Sequence, residues 1–292
     1  MSAPLRPRRS ALYMPGSNSR AMEKAKTLDA DTVIFDLEDA VAPEAKPEAR
    51  RQVCDMVSAG GYGPREVIIR VNGLDTEWGK DDIAAVAKTG ADGLLVPKIN
   101  HAEDVAAANK LMDEAGAPPD MRLWIMMETP IAMLRAQEIA AAGGRLDCMV
   151  MGTNDLAKEL NASHTDARTP MITSLALSML AARAYNLTIL DGVYNDIKNE
   201  AGFQAVCDQG RELGFDGKTL IHPSQLEICN QVFSPPAEAV EEAREVIAAF
   251  ASPEAAGKGV LKVGGKMVEL LHLEQAKQTV AIADAIAARQ AG

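Results

Sequence analysis

At 292 residues the chain is long enough for one barrel-sized domain or two smaller ones, and its 47% hydrophobic and 24% charged residues are ordinary globular proportions that supply a large core. A formal net charge of −11 argues against nucleic acid or an anionic membrane as the main partner, so an anionic ligand needs a local cluster of cations or a metal ion. The four cysteines (Cys54, Cys148, Cys207, Cys229) follow no CxxC or zinc pattern and no apolar run is long enough to span a membrane, which makes the cytoplasm the default compartment.

Arg6, Arg8 and Arg9 precede no apolar region of signal-peptide length, and strand-like sequence from Ser10 leaves no room for an organelle-targeting segment. From there eight short apolar runs recur, at residues 11–14, 32–37, 67–71, 93–97, 123–127, 148–151, 188–193 and 218–221. Ala-rich helical patterns separate most of them, at 21–28, 47–57, 82–88, 102–114, 132–142, 172–184 and 202–213. Strand–helix alternation repeated eight times predicts an α/β chain closed into a (β/α)8 barrel. An open doubly wound sheet is the alternative, because periodicity does not show closure. No GxGxxG or Walker A pattern follows any strand, which disfavours a nucleotide-cofactor fold.

Parallel barrels gather their chemistry at the C-terminal ends of the strands. After the first run, Pro15-Gly16-Ser17-Asn18 leads into a helix carrying Arg20 and Lys24; the turn and its cations suit an anion, although solvated helix charges read the same way. The second run ends in Glu38-Asp39 and the third in Arg70-Val71-Asn72. Arg70 holds a carboxylate or thioester oxygen through two parallel hydrogen bonds, or pairs with Glu38 or Asp39, or does both. The fourth run ends Val96-Pro97-Lys98.

The fifth and sixth runs carry the pair that organises the chain. Glu128 follows LWIMM directly, and Asp155 lies four residues beyond CMVM, behind a Gly152-Thr153-Asn154 turn. Two carboxylates on one face of the sheet suit Mg2+, which takes one or two carboxylates and fills its octahedron with water and substrate. Two turn acids capping helices are the plainer alternative. His101 and His164 sit in polar segments and are expected to be exposed, while His222, before Pro223, is biased to an extended turn with a structural hydrogen bond. Cys148 reads as a buried, reduced thiol. With no Ser-His-Asp or Cys-His arrangement, the chemistry expected is that of metal and carboxylate.

After Phe233, Ser-Pro-Pro opens a helical stretch to Phe250, two short apolar runs around Gly264-Gly265 predict a β-hairpin, and a last helix closes the chain. The division expected is a barrel over residues 1–233 and a helical extension and lid over 234–292, covering its own barrel mouth or a neighbour's.

SALYMPGSN, IFDLEDAV, IRVNG, LLVPKI, METP, MGTNDL, GKTLIHPSQL and GGKMVE run in order along nearly the whole chain. Together they resemble the citrate lyase beta-subunit-like (HpcH/HpaI aldolase/citrate lyase) family of acyl-CoA enzymes, which includes malyl-CoA lyases, citramalyl-CoA lyases and a malyl-CoA thioesterase. The resemblance implies a TIM barrel whose C-terminal extension reaches an adjacent subunit's active site, commonly in a homotrimer, with a hexamer as the alternative. It implies that Glu128 and Asp155 hold Mg2+, or Mn2+, and that Arg70 faces the thioester carbonyl. Glu38 and Asp39 then anchor Arg70 or the metal's water shell, while Lys24 and Arg20 meet the phosphates of coenzyme A, which enters as part of the substrate. Tyr13, Lys98, Gly152, Thr153 and Asn154 complete the substrate-binding set.

One position departs from the lyase pattern. The lyases resembled carry Met-Ile/Val-Asp in the tail, whereas Lys266-Met267-Val268-Glu269 sets the carboxylate one methylene further out. A C–C bond is roughly 1.5 Å, and misplacing a catalytic group by about 1 Å costs ~10²-fold. The thioesterase branch resembles the chain around VMGTNDLAKEL, DGVYN and the Glu-containing tail. The leading expectation is hydrolysis of a (3S)-malyl-CoA-type thioester to malate and CoA, with Glu269 of a neighbour activating water. A malyl-CoA or citramalyl-CoA carbon–carbon lyase is the alternative, and a citrate lyase subunit acting on a carrier-bound acyl group is the third.

Overall fold

The computed structural model describes residues 6–255 and 257–291. They fall into two compact units, one of Arg8–Phe233 and one made by the described residues after Phe233 together with Arg6 and Pro7.

The first unit begins β1 (Ser10–Pro15), α1 (Ser19–Ala25), β2 (Thr32–Asp36), α2 (Lys46–Ala59), β3 (Glu66–Arg70), α3 (Gly79–Val86), β4 (Gly93–Val96) and α4 (Ala102–Glu114). It continues β5 (Arg122–Met127), α5 (Pro130–Leu134), α6 (Ala136–Ala141), β6 (Leu146–Met151), α7 (Thr153–Glu159) and α8 (Ile172–Ala184). Then come β7 (Thr188–Asp191), α9 (Glu200–Glu212), β8 (Gly217–Leu220) and α10 (Leu226–Val232). All eight predicted strands are present, and β8 pairs back onto β1 through Ala11↔Thr219, so the sheet is a closed parallel barrel and the open-sheet alternative fails.

The near-continuous apolar strands follow from burial on both faces. Side chains alternate with period two. Ala11, Ile34, Ile68, Leu95, Trp124, Cys148 and Leu190 therefore form the inner cluster. Their neighbours Leu12, Val33, Phe35, Ile69, Leu94 and Met149 join Met22, Val53, Ile83 and Met112 of the helices in the outer one.

The helix expected over 132–142 is two, because Arg135 leaves the helical region at φ −114° and ends α5. Arg8 and Arg9 are structural. At the N-terminal end of the strands Arg8 binds both oxygens of Glu66 at 2.7 Å, reaches Asp147 at 2.5 Å, and lays its guanidinium 4.7 Å over the buried Trp124 ring. Arg9 grips Asp31 through Nε and Nη2 at 2.8 Å each. Between sheet and helices, Asp191 takes Lys218 Nζ at 2.8 Å and Arg168 Nη1 at 2.7 Å, which ties the α7–α8 loop to β7 and β8. Burial alone would raise the Asp191 carboxylate, but these two cations hold it below the ordinary range.

The second unit contains α11 (Ala237–Ala251), the antiparallel pair β9 (Val260–Val263) and β10 (Lys266–Glu269), and α12 (Leu270–Ala291). Gly264 and Gly265, at φ 55° and 83°, make the two-residue turn that twists in the strands' own sense and that residues with a side chain adopt at a cost. Arg244 pairs with Asp284 across α11 and α12 at 2.7 Å, and Lys266 reaches Glu242 at 3.2 Å. Among the described residues no helix is long and apolar enough to cross a membrane.

Candidate active site

A cavity of about 330 Å³ opens at the C-terminal ends of the strands, and of the acids and cations expected there Asp39, Arg70, Glu128 and Asp155 line it, while Glu38 and Lys98 do not. Parallel register does the assembly. Asp36 at the end of β2 pairs with Arg70 at the end of β3, and Met127↔Met151 brings the tips of β5 and β6 side by side.

Arg70 is the cationic centre. Its Nε and Nη2 donate to Asp36 Oδ1 and Oδ2 at 2.7 and 2.6 Å, and its Cζ lies 4.9 Å from the centroid of the Tyr13 ring. Nη1 makes an ion-pair contact with Glu38 Oε2 at 2.7 Å, without hydrogen-bond geometry, and a longer one with Asp39 at 3.4 Å. The sequence named Glu38 and Asp39 as anchors and missed Asp36, which is the main one. Alternation along β2 carries the signal: Ile34 faces inward, so Asp36 does too.

Burial pushes the Glu38 carboxyl up to about 8 even with Arg70 opposing it. A carboxyl held higher in the folded than in the unfolded chain stabilises the fold fully below the unfolded value near 4.5, and that stability is lost as pH rises through about 8. Glu38→Gln removes the titration. Thermal melts from pH 5 to 9 are expected to show the parent losing about 1–3 kcal/mol more than the variant over that window; equal slopes would assign the pH dependence elsewhere.

Glu128 and Asp155 face one another across the tips of β5 and β6. Glu128 is 1% exposed and Oε1 accepts the Lys98 backbone N–H at 2.7 Å. That N–H is aimed by a left-handed Lys98, φ 56°, unusual for a residue with a side chain. Lys98 Nζ lies 2.9 Å from Asp155 Oδ1 and 3.8 Å from Glu128 Oε1. Burial raises the Glu128 carboxyl to about 7, opposed by Lys98 and its N–H. Gly152 lets the strands approach this closely, since a Cβ there would lie 2.6 Å from Glu128 Oε2 and run into the Glu128 Cβ.

The pair has the chemistry a hard divalent ion takes: two carboxylates and no nitrogen or sulfur, with an ammonium already drawn between them. No cluster of three or more metal-ligating side chains occurs among the described residues, so any further ligands would come from water and substrate. The residues fit Mg2+.

Gly152, Thr153, Asn154 and Asp155 all line the cavity; Thr153–Glu159 is already helix, so Asp155 sits in the first turn of α7. Asn154 makes a reciprocal amide pair with Asn195. Sequence reading also missed the apolar wall of Met126, Met151, Val193 and Ile221, whose residues look like ordinary core in the linear chain. Arg20 and Lys24 are exposed on α1 and do not line the cavity. Glu269 is exposed on β10 of the second unit. His164 and His222 are exposed, with His222 Nδ1 accepting the Ser224 N–H. His101, expected to be exposed, is half-buried just before α4, where its backbone N–H donates to Asp104.

The sequence pattern of the HpcH/HpaI aldolase/citrate lyase family matches residues 9–223. A (3S)-malyl-CoA thioesterase of Cereibacter sphaeroides (strain ATCC 17025 / ATH 2.4.3) is 55% identical over 282 residues, 97% of this chain and 96% of that protein. Citrate lyase subunit beta of Escherichia coli (strain K12) is 35% identical over 96% of this chain and 94% of its own. Among solved structures, protein CitE of Mycobacterium tuberculosis in complex with magnesium, acetoacetate and coenzyme A superposes with a TM-score of 0.73 at 30% identity, covering 94% of this chain and 97% of that one. A citrate lyase of Burkholderia xenovorans LB400, at 18% identity and TM-score 0.81 over 95% and 92%, shares the fold.

Proposed function

Because this chain belongs to the HpcH/HpaI aldolase/citrate lyase family, we propose that it hydrolyses a (3S)-malyl-CoA-type thioester to malate and coenzyme A with the help of Mg2+. The observation that carries this reading is the convergence of Arg70, Glu128 and Asp155 on one cavity. The thioesterase likeness at 55%, against 35% for the citrate lyase subunit, favours hydrolysis over carbon–carbon cleavage.

Hydrolysis requires a water oxygen to add to the thioester carbonyl carbon while the carbonyl oxygen takes the electron pair. The carbon–sulfur bond then breaks and coenzyme A leaves as the thiol. Glu128 and Asp155 would hold the metal. When bound, Mg2+ supplies Lewis-acid polarisation of a substrate oxygen and neutralises the charge around it. Arg70 directs its Nη1 edge at the carbonyl oxygen, where N–H donors fixed in advance stabilise developing negative charge. Tyr13 places its ring against the guanidinium and Met126 and Met151 keep water away from that side of the acyl group. Arg20 and Lys24, exposed on α1, meet the coenzyme A phosphates.

Glu269 takes the proton of the attacking water and returns it to the leaving sulfur. Around it Met267, Leu270 and Leu271 are 66%, 54% and 64% exposed, an apolar surface that calls for a cover. We assign that cover, and the cavity Glu269 serves, to a second copy of the chain in a homo-oligomer, a trimer or hexamer. Free thiols at Cys54, Cys148, Cys207 and Cys229 fit a reducing, cytoplasmic setting.

A product assay tests the reading. With malyl-CoA and Mg2+, free thiol should appear without glyoxylate, and Glu269→Asp should raise the yield of 2-oxo acid relative to thiol. Glyoxylate without thiol from the parent chain would make it a carbon–carbon lyase. An unchanged ratio in the variant would remove Glu269 as the discriminating group.

A further inference from the structure

The carboxylate of Asp36 is 2% exposed and accepts four hydrogen bonds, two on each oxygen. Oδ1 takes Arg70 Nε at 2.7 Å and the Glu38 backbone N–H at 2.9 Å; Oδ2 takes Arg70 Nη2 at 2.6 Å and the Ala40 backbone N–H at 3.1 Å. One side chain thus clamps the guanidinium and the start of the loop after β2, the loop that carries Glu38 and Asp39. Asp36 engages Nε and one N–H of Nη2, Tyr13 lies against the guanidinium with its ring centroid 4.9 Å from Cζ, and Nη1 is directed toward Glu38 and Asp39. A guanidinium has a rigid planar fork. Fixing one edge of it therefore fixes the direction of the other.

We propose that Asp36 is a positioning residue for the reaction: it sets the orientation in which Arg70 presents Nη1 to the thioester oxygen, and keeps that orientation in step with the Glu38–Asp39 loop. This rests on the reading that Arg70 faces the thioester carbonyl. Asp36 touches no reacting atom and acts through Arg70. An amide cannot replace it. Each of its oxygens receives one guanidinium and one backbone N–H, so the amide NH2 of an asparagine meets two donors wherever it points.

The test is a double-mutant cycle on kcat. Asp36→Asn, Arg70→Lys and the double variant are compared with the parent on malyl-CoA, following thiol release under saturating Mg2+. Asp36→Asn is expected to lower kcat about 10²-fold, with KM changed less than about threefold and with less than about threefold further loss when added to Arg70→Lys. Equal losses in the two backgrounds would overturn the proposal, as would a parent-like kcat in Asp36→Asn. Should that variant fail to fold, Asp36→Glu takes its place, keeping the charge while displacing the carboxylate, with the same coupling expected. A second readout needs no turnover. In 15N spectra of the parent a slowly exchanging, downfield Arg70 Nε–H should be present, and it should be lost in Asp36→Asn while the Arg9 Nε–H on Asp31 stays. If the parent releases neither thiol nor glyoxylate, the proposed function fails, and this resonance alone still decides whether Asp36 orients Arg70: its persistence in Asp36→Asn refutes the clamp.

Discussion

Replacing Arg70 by methionine is expected to lower kcat by about 10²–10³-fold, the loss typical of removing a fixed donor from an oxyanion. The same substitution should also cost stability. Arg70 is buried and compensates Asp36, with Glu38 and Asp39 beside it. Taking one partner from a buried ion pair leaves an uncompensated charge, at about 3–5 kcal/mol. Urea titration and steady-state kinetics on one preparation measure the two effects. A variant that loses activity yet unfolds at the parent's urea concentration would show that Asp36 finds other compensation. A variant that keeps kcat would remove Arg70 from the chemistry.

Glu128→Gln is expected to abolish metal dependence, lowering kcat by about 10³-fold or more, since Lewis-acid stabilisation is worth several kcal/mol. Stability should move the other way or not at all. Glu128 is almost fully buried, burial disfavours its charge, and the amide oxygen can still accept the Lys98 N–H. The clean signature is thermal. Mg2+ should raise the melting temperature of the parent, because a ligand that binds only the folded chain stabilises it. It should leave Glu128→Gln unmoved. An undiminished Mg2+ shift in the variant would place the ion elsewhere, and full activity after EDTA would dismiss the ion altogether.

The strands were legible because a parallel barrel buries both faces and writes them as apolar runs. The tips were legible where a charge breaks such a run, as Glu128 does after LWIMM and Arg70 does after EVII. Asp36 escaped notice for the opposite reason: it sits among three acids in FDLED, and only side-chain alternation and the Asp36↔Arg70 register tell it from Glu38. The grip of Lys218 and Arg168 on Asp191 was illegible in a stronger sense. Arg168 lies in a loop with no pattern, and it meets its partner through closure of the fold rather than through spacing. The motif likeness reached Glu269 as a candidate from sequence, because a tail motif is local in the chain.

The two tryptophans stand in different neighbourhoods of the barrel unit, and the molecule thereby carries a built-in pair of optical reporters. Trp124 is sealed from solvent beneath the Arg8 guanidinium, so its emission should be blue and dark to added quenchers until the barrel opens. Trp78 is half-buried in the stretch after β3, 5.1 Å from the Lys46 ammonium, which in turn binds the backbone carbonyls of Leu37 and Glu38. Its emission is wired to the loop beside Arg70. Fluorescence can therefore separate motion at the mouth of the barrel from loss of its floor, with no label added.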